Sequence, residues 1–388
     1  MEKRIYVDNS ATTQVSEKAL AAMMPYFREN FGNPSAIYSY GQEAKKALED
    51  SRRLVGTAIG ALNNEIYFTS GGSESDNWAI HSICETKKSK GKHIISSAIE
   101  HNAVLRTLEK LQKQGYEVTL LNPDKYGQIS TDQLKKAIRD DTIFISIMMA
   151  NNVVGTVLPI KELCALAHER GIVFHTDAVG AVAHLPIKVH ELGVDLLSMS
   201  AHKFHGPKGV GALYAKLQCH LPPYLTGGGQ EKGYRSGTEN IPGIVGMAQA
   251  ITEAAQDMSE TIKGITANRD KLITNILKIP GAYLTGDPVN RLPGLASFVF
   301  EGINESVFLV NKLNEEGICA SSGSACSASS KEASHVLSAL GYGGKIARSA
   351  LRISLSKYNT EEEIDVIINK MPSIIAELRL AKDRHSLI

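Results

Sequence analysis

The sequence predicts an α/β protein, with a large domain on a mostly parallel seven-stranded sheet wrapped by helices and a smaller α+β domain after it. Three observations predict it. Short apolar runs recur between residues 65 and 215, and amphipathic stretches of crossover length separate most of them. Near residue 258 the pattern changes to a long helical stretch with two or three further strand-like runs. A chain of 388 residues also exceeds what one ordinary core organises.

In order, the buried strands are EIYFTS (65–70), HIISSA (93–98), EVTLL (117–121), IFISIMM (143–149), IVFHTDA (172–178), DLLSMS (195–200) and GVGALYA (209–215). Stretches such as Val104 to Gln114 and Ile160 to Arg170 serve as the crossover helices. The later half contributes LASFVFEG and ALRISLS as strands, then an amphipathic region from Glu361 to Leu380 that Pro372 is expected to kink or divide. The expected boundaries are residues 15–257 for the large domain, with 1–14 and 258–388 forming the small one.

Composition narrows the partners. Forty-two Lys and Arg balance 41 Asp and Glu, so no net basicity recruits nucleic acid or an anionic membrane, and small metabolites are expected instead. The start, MEKRIYVDNSATT, has no apolar signal region and no uncharged run reaches membrane-spanning length, which predicts a cytoplasmic protein. Cys84, Cys164, Cys219, Cys319 and Cys326 are odd in number, widely spaced and free of CxxC pairs, against both a disulfide framework and a structural zinc site, and no metal is expected.

An open parallel sheet gathers ligands at the carboxyl ends of its strands. There the sequence places polar groups at successive strand ends. After EIYFTS, "GGSESDNWAI" puts Gly71, Gly72 and Ser73 at a helix start, where exposed N–H groups suit a phosphate, though an ordinary helix cap reads the same way. After HIISSAIE comes His101. Asp177 ends an apolar strand, where a carboxylate needs a partner. Ser200, His202 and Lys203 follow DLLSMS, in "SMSAHKFHGPKG", whose second lysine, Lys208, reads as a solvated turn charge.

One ligand uses all of these. Pyridoxal 5′-phosphate needs a phosphate cradle, a lysine to bond its aldehyde carbon, an acid to keep its pyridine nitrogen protonated, and a flat group against its ring. Gly71, Gly72, Ser73, Ser200 and His202 suit the phosphate, Lys203 the aldehyde, Asp177 the nitrogen and His101 the stack.

The stretches "YVDNSATT", "FGNPS", "FTSGGSESDN", "EHNAV", "MMANNVVGT", "HTDAV", "SAHKFHGPKG", "GGGQEKGYRSGTEN", "SSGSACS", "SHVLSALG" and "LRISL" run in that order. With them the chain resembles the class V, fold-type I pyridoxal-phosphate enzymes, and within these the NifS/IscS-type cysteine desulfurases. The resemblance implies a homodimer with its sites at the subunit interface. It implies that Thr238 reaches the phosphate in the partner subunit, that Asn152 lines the ring and the substrate carboxylate, and that Arg352 anchors that carboxylate. It also makes Cys326 the nucleophile. Cys326 lies among Ser, Gly and Ala with little apolar surface to bury it, as a reactive thiol requires. Cys84, Cys164 and Cys319 are expected to be structural.

The implied reaction is desulfuration of L-cysteine. Lys203 removes the Cα proton, His101 shuttles a proton, and the Cys326 thiolate takes the sulfur, giving alanine and a persulfide. The persulfide passes to a sulfur-acceptor protein, in iron–sulfur cluster assembly or tRNA thiolation. Two positions depart from the family pattern. Gly180 stands where a glutamine is usual and Tyr38 where a histidine is usual, both expected near the site. These leave open a selenocysteine lyase or a lyase for an unusual cysteine-like substrate. A non-catalytic sulfur-carrier or assembly scaffold is the reading of another class, disfavoured because Lys203, Asp177, His101, Cys326 and Arg352 occur together. Transamination has no use for Cys326.

Overall fold

A computed structural model of the chain describes residues 4–323 and 334–385, the last five through the backbone alone. Its strands in chain order are β1 (Ile5–Tyr6), β2 (Ile66–Thr69), β3 (His93–Ser97), β4 (Glu117–Leu121), β5 (Thr142–Ser146), β6 (Val173–Asp177), β7 (Leu196–Ser200), β8 (Gly211–Ala215), β9 (Ala282–Leu284), β10 (Leu295–Phe300), β11 (Ile318–Cys319) and β12 (Leu351–Ser354). The large sheet has the order β2-β8-β7-β6-β5-β3-β4. β8 pairs antiparallel with β2 and β7, and the other pairings are parallel. These are the seven runs expected. The main difference is at β5, which stops at Ser146, because Met148 and Ala150 leave the ladder to line the cavity described below.

Every residue of β3, β5, β7 and β8 is buried, which explains why they lack the alternation of a strand with one wet face: helices cover both faces. The helix Gly72–Lys87 buries Trp78, Ile80 and Ile83. The helix Ser39–Ile59 buries Ala44, Ala47, Leu48, Ser51, Val55 and Ile59 at helical spacing and stops at Gly60, whose φ of 71° closes its end. It packs on the helix Ile241–Gln256, where Gly246 makes room for Met23 of the helix Glu17–Met23, since a Cβ there would meet Met23 Sδ at 2.5 Å. Since β2 runs in the same direction as β7, the carboxyl ends of β2, β3, β5, β6 and β7 share one edge of the sheet.

A second core contains Leu272, Ile276, Phe298, Phe300, Ile353, Ile364 and Met371, and Val7 of the amino-terminal segment joins it. It surrounds the antiparallel sheet β12-β10-β9, while β1 pairs in parallel with β11. The amino-terminal segment then crosses to the large sheet. Ser354 N donates to Val7 O at 2.7 Å, and Thr13 N to His202 O at 2.9 Å.

The last helix, Glu361–His385, continues through Pro372, so of the two outcomes expected there, a kink or a division, the division does not occur. Buried Ile364, Ile367 and Met371 before the proline, and Ile374 and Ile375 after it, hold both halves against one core. No described helix is long and apolar enough to cross a membrane.

Candidate active site

A cavity of about 290 Å³ lies where the carboxyl edge of the large sheet meets the second sheet. Its lining includes Gly72, Ser73, His101, Asn152, Asp177, Ser200, His202, Lys203 and Arg352, so one space gathers nine of the residues singled out in the sequence. An outer chamber shares Gly72, Ser73, Ser200 and His202 with it.

At the shared end the glycines are there for space. Gly71 has φ 152°, which side chains rarely adopt, and a Cβ on it would point to Ser200 Oγ at 3.6 Å. A Cβ on Gly72 would meet Val179 Cγ2 at 2.5 Å. Helix Gly72–Lys87 therefore begins with open N–H groups beside the Ser73 and Ser200 hydroxyls, a donor set that suits phosphate. Burial, then Lys203 and Lys208, push His202 down to about 4, so its ring is neutral, with Nδ1 3.2 Å from Thr12 Oγ1.

Asp177 ends β6, and its Oδ1 accepts from Val179 N at 2.9 Å. Burial pushes its carboxyl up, against the pull of His101 and Lys203. A cationic ring nitrogen placed there would reverse that rise. His101 caps the helix Asn102–Gln112, its Nδ1 accepting from Ala103 N at 3.1 Å, which fixes the ring at the cavity wall. Lys203, in the turn after β7, donates to the carbonyls of Ser10 at 2.5 Å and Ala11 at 3.0 Å. His184, another lining residue, lies with Nε2 2.9 Å from Lys203 O and steadies that turn.

Arg352, on β12, is 1 % exposed. Nη2 donates to Asp8 Oδ1 at 2.8 Å and Nη1 to Asn152 O at 2.9 Å, while Nε is buried without a partner. A guanidinium in the cavity wall suits a carboxylate ligand. Together the open cradle, the lysine, the buried acid and this guanidinium fit pyridoxal phosphate with an amino acid beside it.

Sequence reading missed several groups. Glu100 is buried in the wall beside His101, with Oε1 accepting from Ser97 Oγ and Met148 N, and Oε2 unpartnered. Burial pushes its pKa up to about 8. Asp76, fully buried in the helix Gly72–Lys87, is also raised well above its ordinary range, first by burial and then by Asp177. His335 reaches back with Nε2 3.0 Å from Glu100 O, and Asp8 pairs with Arg352. Glu100, Asp76, His335 and Asp8 stand inside quoted motifs, "EHNAV", "GGSESDN", "SHVLSALG" and "YVDNSATT", which was the available signal.

Other expectations fare differently. Gly180 lines the cavity, with only Ala150 O, at 3.5 Å, near a built Cβ. Tyr38 does not line this cavity: it precedes the helix Ser39–Ile59 and is 62 % exposed. Thr238 is exposed in the loop 226–240 and outside this cavity. Lys208 is exposed, as expected. Cys84 and Cys164 are buried and pushed up to about 12, chiefly by burial, which keeps them as thiols. Cys326 lies outside the described residues.

Comparison with known proteins agrees with this geometry. The chain is 51 % identical over 378 residues to a protein named cysteine desulfurase IscS from Methanosarcina thermophila, covering 97 % of this chain and 93 % of that one. A solved NifS-like protein superposes with a TM-score of 0.91 at 38 % identity, over 97 % of this chain and 100 % of that one. A structure described as SspA in complex with cysteine gives a TM-score of 0.81 at 36 % identity, over 92 % and 100 %. The model of the aminotransferase class-V family matches residues 5–367. A lysine, an acid and a phosphate cradle on successive strand ends, within a match that spans nearly the whole chain, make this protein a member of the aminotransferase class-V family.

Proposed function

We propose that the protein is a cysteine desulfurase that uses pyridoxal 5′-phosphate to take sulfur from L-cysteine, releasing alanine and leaving a persulfide on Cys326. The observation that carries the reading is the convergence of Lys203, Asp177, His101 and Arg352 on one cavity. The similarity to a cysteine desulfurase IscS and to a solved NifS-like protein points the same way.

When bound, pyridoxal phosphate supplies an electron sink for the carbanion formed at the substrate Cα. The residues do the rest. Gly72, Ser73, Ser200 and His202 hold the phosphate, and Thr238 joins them from the partner subunit. Asp177 keeps the ring nitrogen protonated, and His101 and Asn152 flank the ring. Arg352 takes the substrate carboxylate, its guanidinium held in place by Asp8 and the Asn152 carbonyl. That bond orients Cα toward Lys203, the covalent anchor and the base for the Cα proton. The Cys326 thiolate attacks the substrate sulfur, so the Cβ–S bond breaks as an S–S bond forms. Cβ takes a proton, supplied through His101, and alanine leaves.

We assign residues 15–257 to the cofactor domain, and 1–14 with 258–388 to the small domain. The working unit is a homodimer: Leu20, Met24, Phe27, Phe31, Ile37 and Tyr38 are exposed close together in sequence, and Ile37 is 92 % exposed. A cytoplasmic location and a sulfur-acceptor protein, in iron–sulfur cluster assembly or tRNA thiolation, complete the reading. The test offers cofactor-loaded protein L-cysteine, D-cysteine and L-selenocysteine and quantifies alanine and protein-bound persulfide. Equal alanine and persulfide from L-cysteine supports the proposal. Alanine from L-selenocysteine alone replaces it with a selenocysteine lyase.

A further inference from the structure

We infer that Glu74 and Arg235 form a charge-neutralised clamp that sets how tightly the start of helix Gly72–Lys87 holds the cofactor phosphate; this rests on the cofactor reading above. Glu74 lies in the first turn of that helix and lines the outer chamber with Ser73, Ser200 and His202. Its Oε2 accepts from Ser70 N at 2.8 Å, so the carboxylate stiffens the turn that carries Gly71.

The same carboxylate opposes an anion. Open N–H groups and the helix dipole attract phosphate, whereas a fixed negative charge in the first turn repels it. Glu74 keeps that charge. Burial pushes its carboxyl up, but the bonds from Arg235 and Ser70 outweigh burial and hold it below its ordinary value.

Arg235 cancels the charge with a two-pronged pair, Nε to Oε1 at 2.7 Å and Nη2 to Oε2 at 3.1 Å. It comes from the glycine-rich loop, which is fixed separately through Glu231. That carboxylate accepts from Arg52 Nη1 and Nη2 at 2.7 and 2.8 Å and from Phe68 N at 2.9 Å. Glu231 and Lys232 have φ of 47° and 60°, a left-handed path imposed on two residues that bear side chains. The loop is therefore held at two points, and the second delivers the neutralising charge to the cradle.

A titration of cofactor-free protein with pyridoxal phosphate and with pyridoxal, followed by visible absorbance, tests this. Arg235→Gln leaves Glu74 uncompensated and weakens pyridoxal phosphate binding roughly tenfold while leaving pyridoxal, which lacks the phosphate, almost unchanged. The double variant Glu74→Gln/Arg235→Gln recovers most of that loss, and added salt narrows the single variant's deficit. Glu74→Gln alone retains an acceptor for Ser70 N and leaves the loop intact, so it tests the same sign should Arg235→Gln fold poorly: it binds pyridoxal phosphate more tightly. Equal losses for both ligands, no recovery in the double variant, or weaker binding by Glu74→Gln overturns the clamp. Wild type that binds neither ligand overturns the cofactor reading itself, and the clamp with it.

Discussion

Arg352 donates from Nη2 to Asp8 Oδ1 at 2.8 Å, which joins β12 of the second sheet to the amino-terminal segment at the cavity wall. The pair compensates a buried guanidinium and fixes its place in the wall. Asp8 thus orients Arg352, which in the proposed reading orients the substrate.

Replacing Arg352 tests that geometry. Arg352→Lys keeps a cation but loses the fork, and the lost charge-assisted bonds raise KM for L-cysteine by roughly 10- to 100-fold, with a smaller change in kcat. Steady-state kinetics on the cofactor-loaded variant check it, and an unchanged KM would move the carboxylate site elsewhere.

Glu100 gives a pH signature. Its pKa rises from 4.5 to about 8 on burial, so between those values the folded protein holds a proton that the unfolded chain has released. Its contribution to stability is complete below pH 4.5 and is lost as pH rises toward 8. The thermal midpoint of cofactor-free wild type should therefore fall more between pH 5 and 8 than that of Glu100→Gln. Parallel curves would mean that Glu100 is ionised throughout.

Gly180 has a negative φ or extended backbone and open space beside it, so its glycine is not required by the chain path. Gly180→Gln should leave thermal stability within about 0.5 kcal/mol. A donor reaching the cofactor's phenolic oxygen should lower the pH midpoint of the visible band. A midpoint that does not move would make the glycine a neutral substitution.

The sheet was legible because β3, β5, β7 and β8 are buried on both faces and read as mainly apolar runs with only His, Ser and Thr among them. The candidate site was legible because strand ends carry its parts: Asp177 at the end of β6 and Lys203 after β7 announce themselves by position. Pairings across the chain were not. Asp8 and Arg352 are 344 residues apart and Glu74 and Arg235 are 161 apart, and no periodicity links such residues. Pro372 does not divide its helix because tertiary packing on both sides of it outweighs a local breaker.

Cys326→Ser should bind pyridoxal phosphate like wild type, since the cradle and Lys203 are untouched, yet form no persulfide and release at most a trace of alanine from L-cysteine. Absorbance titration and alanine assay separate the two effects. Undiminished alanine release would remove Cys326 from the mechanism.

The most direct test of the central claim is borohydride reduction of cofactor-loaded protein followed by peptide mass mapping. The pyridoxyl group should be found on the peptide containing Lys203, and Lys203→Ala should lose both the label and turnover while retaining its fold. A label on Lys208, or none on any lysine of the cavity, would contradict the account.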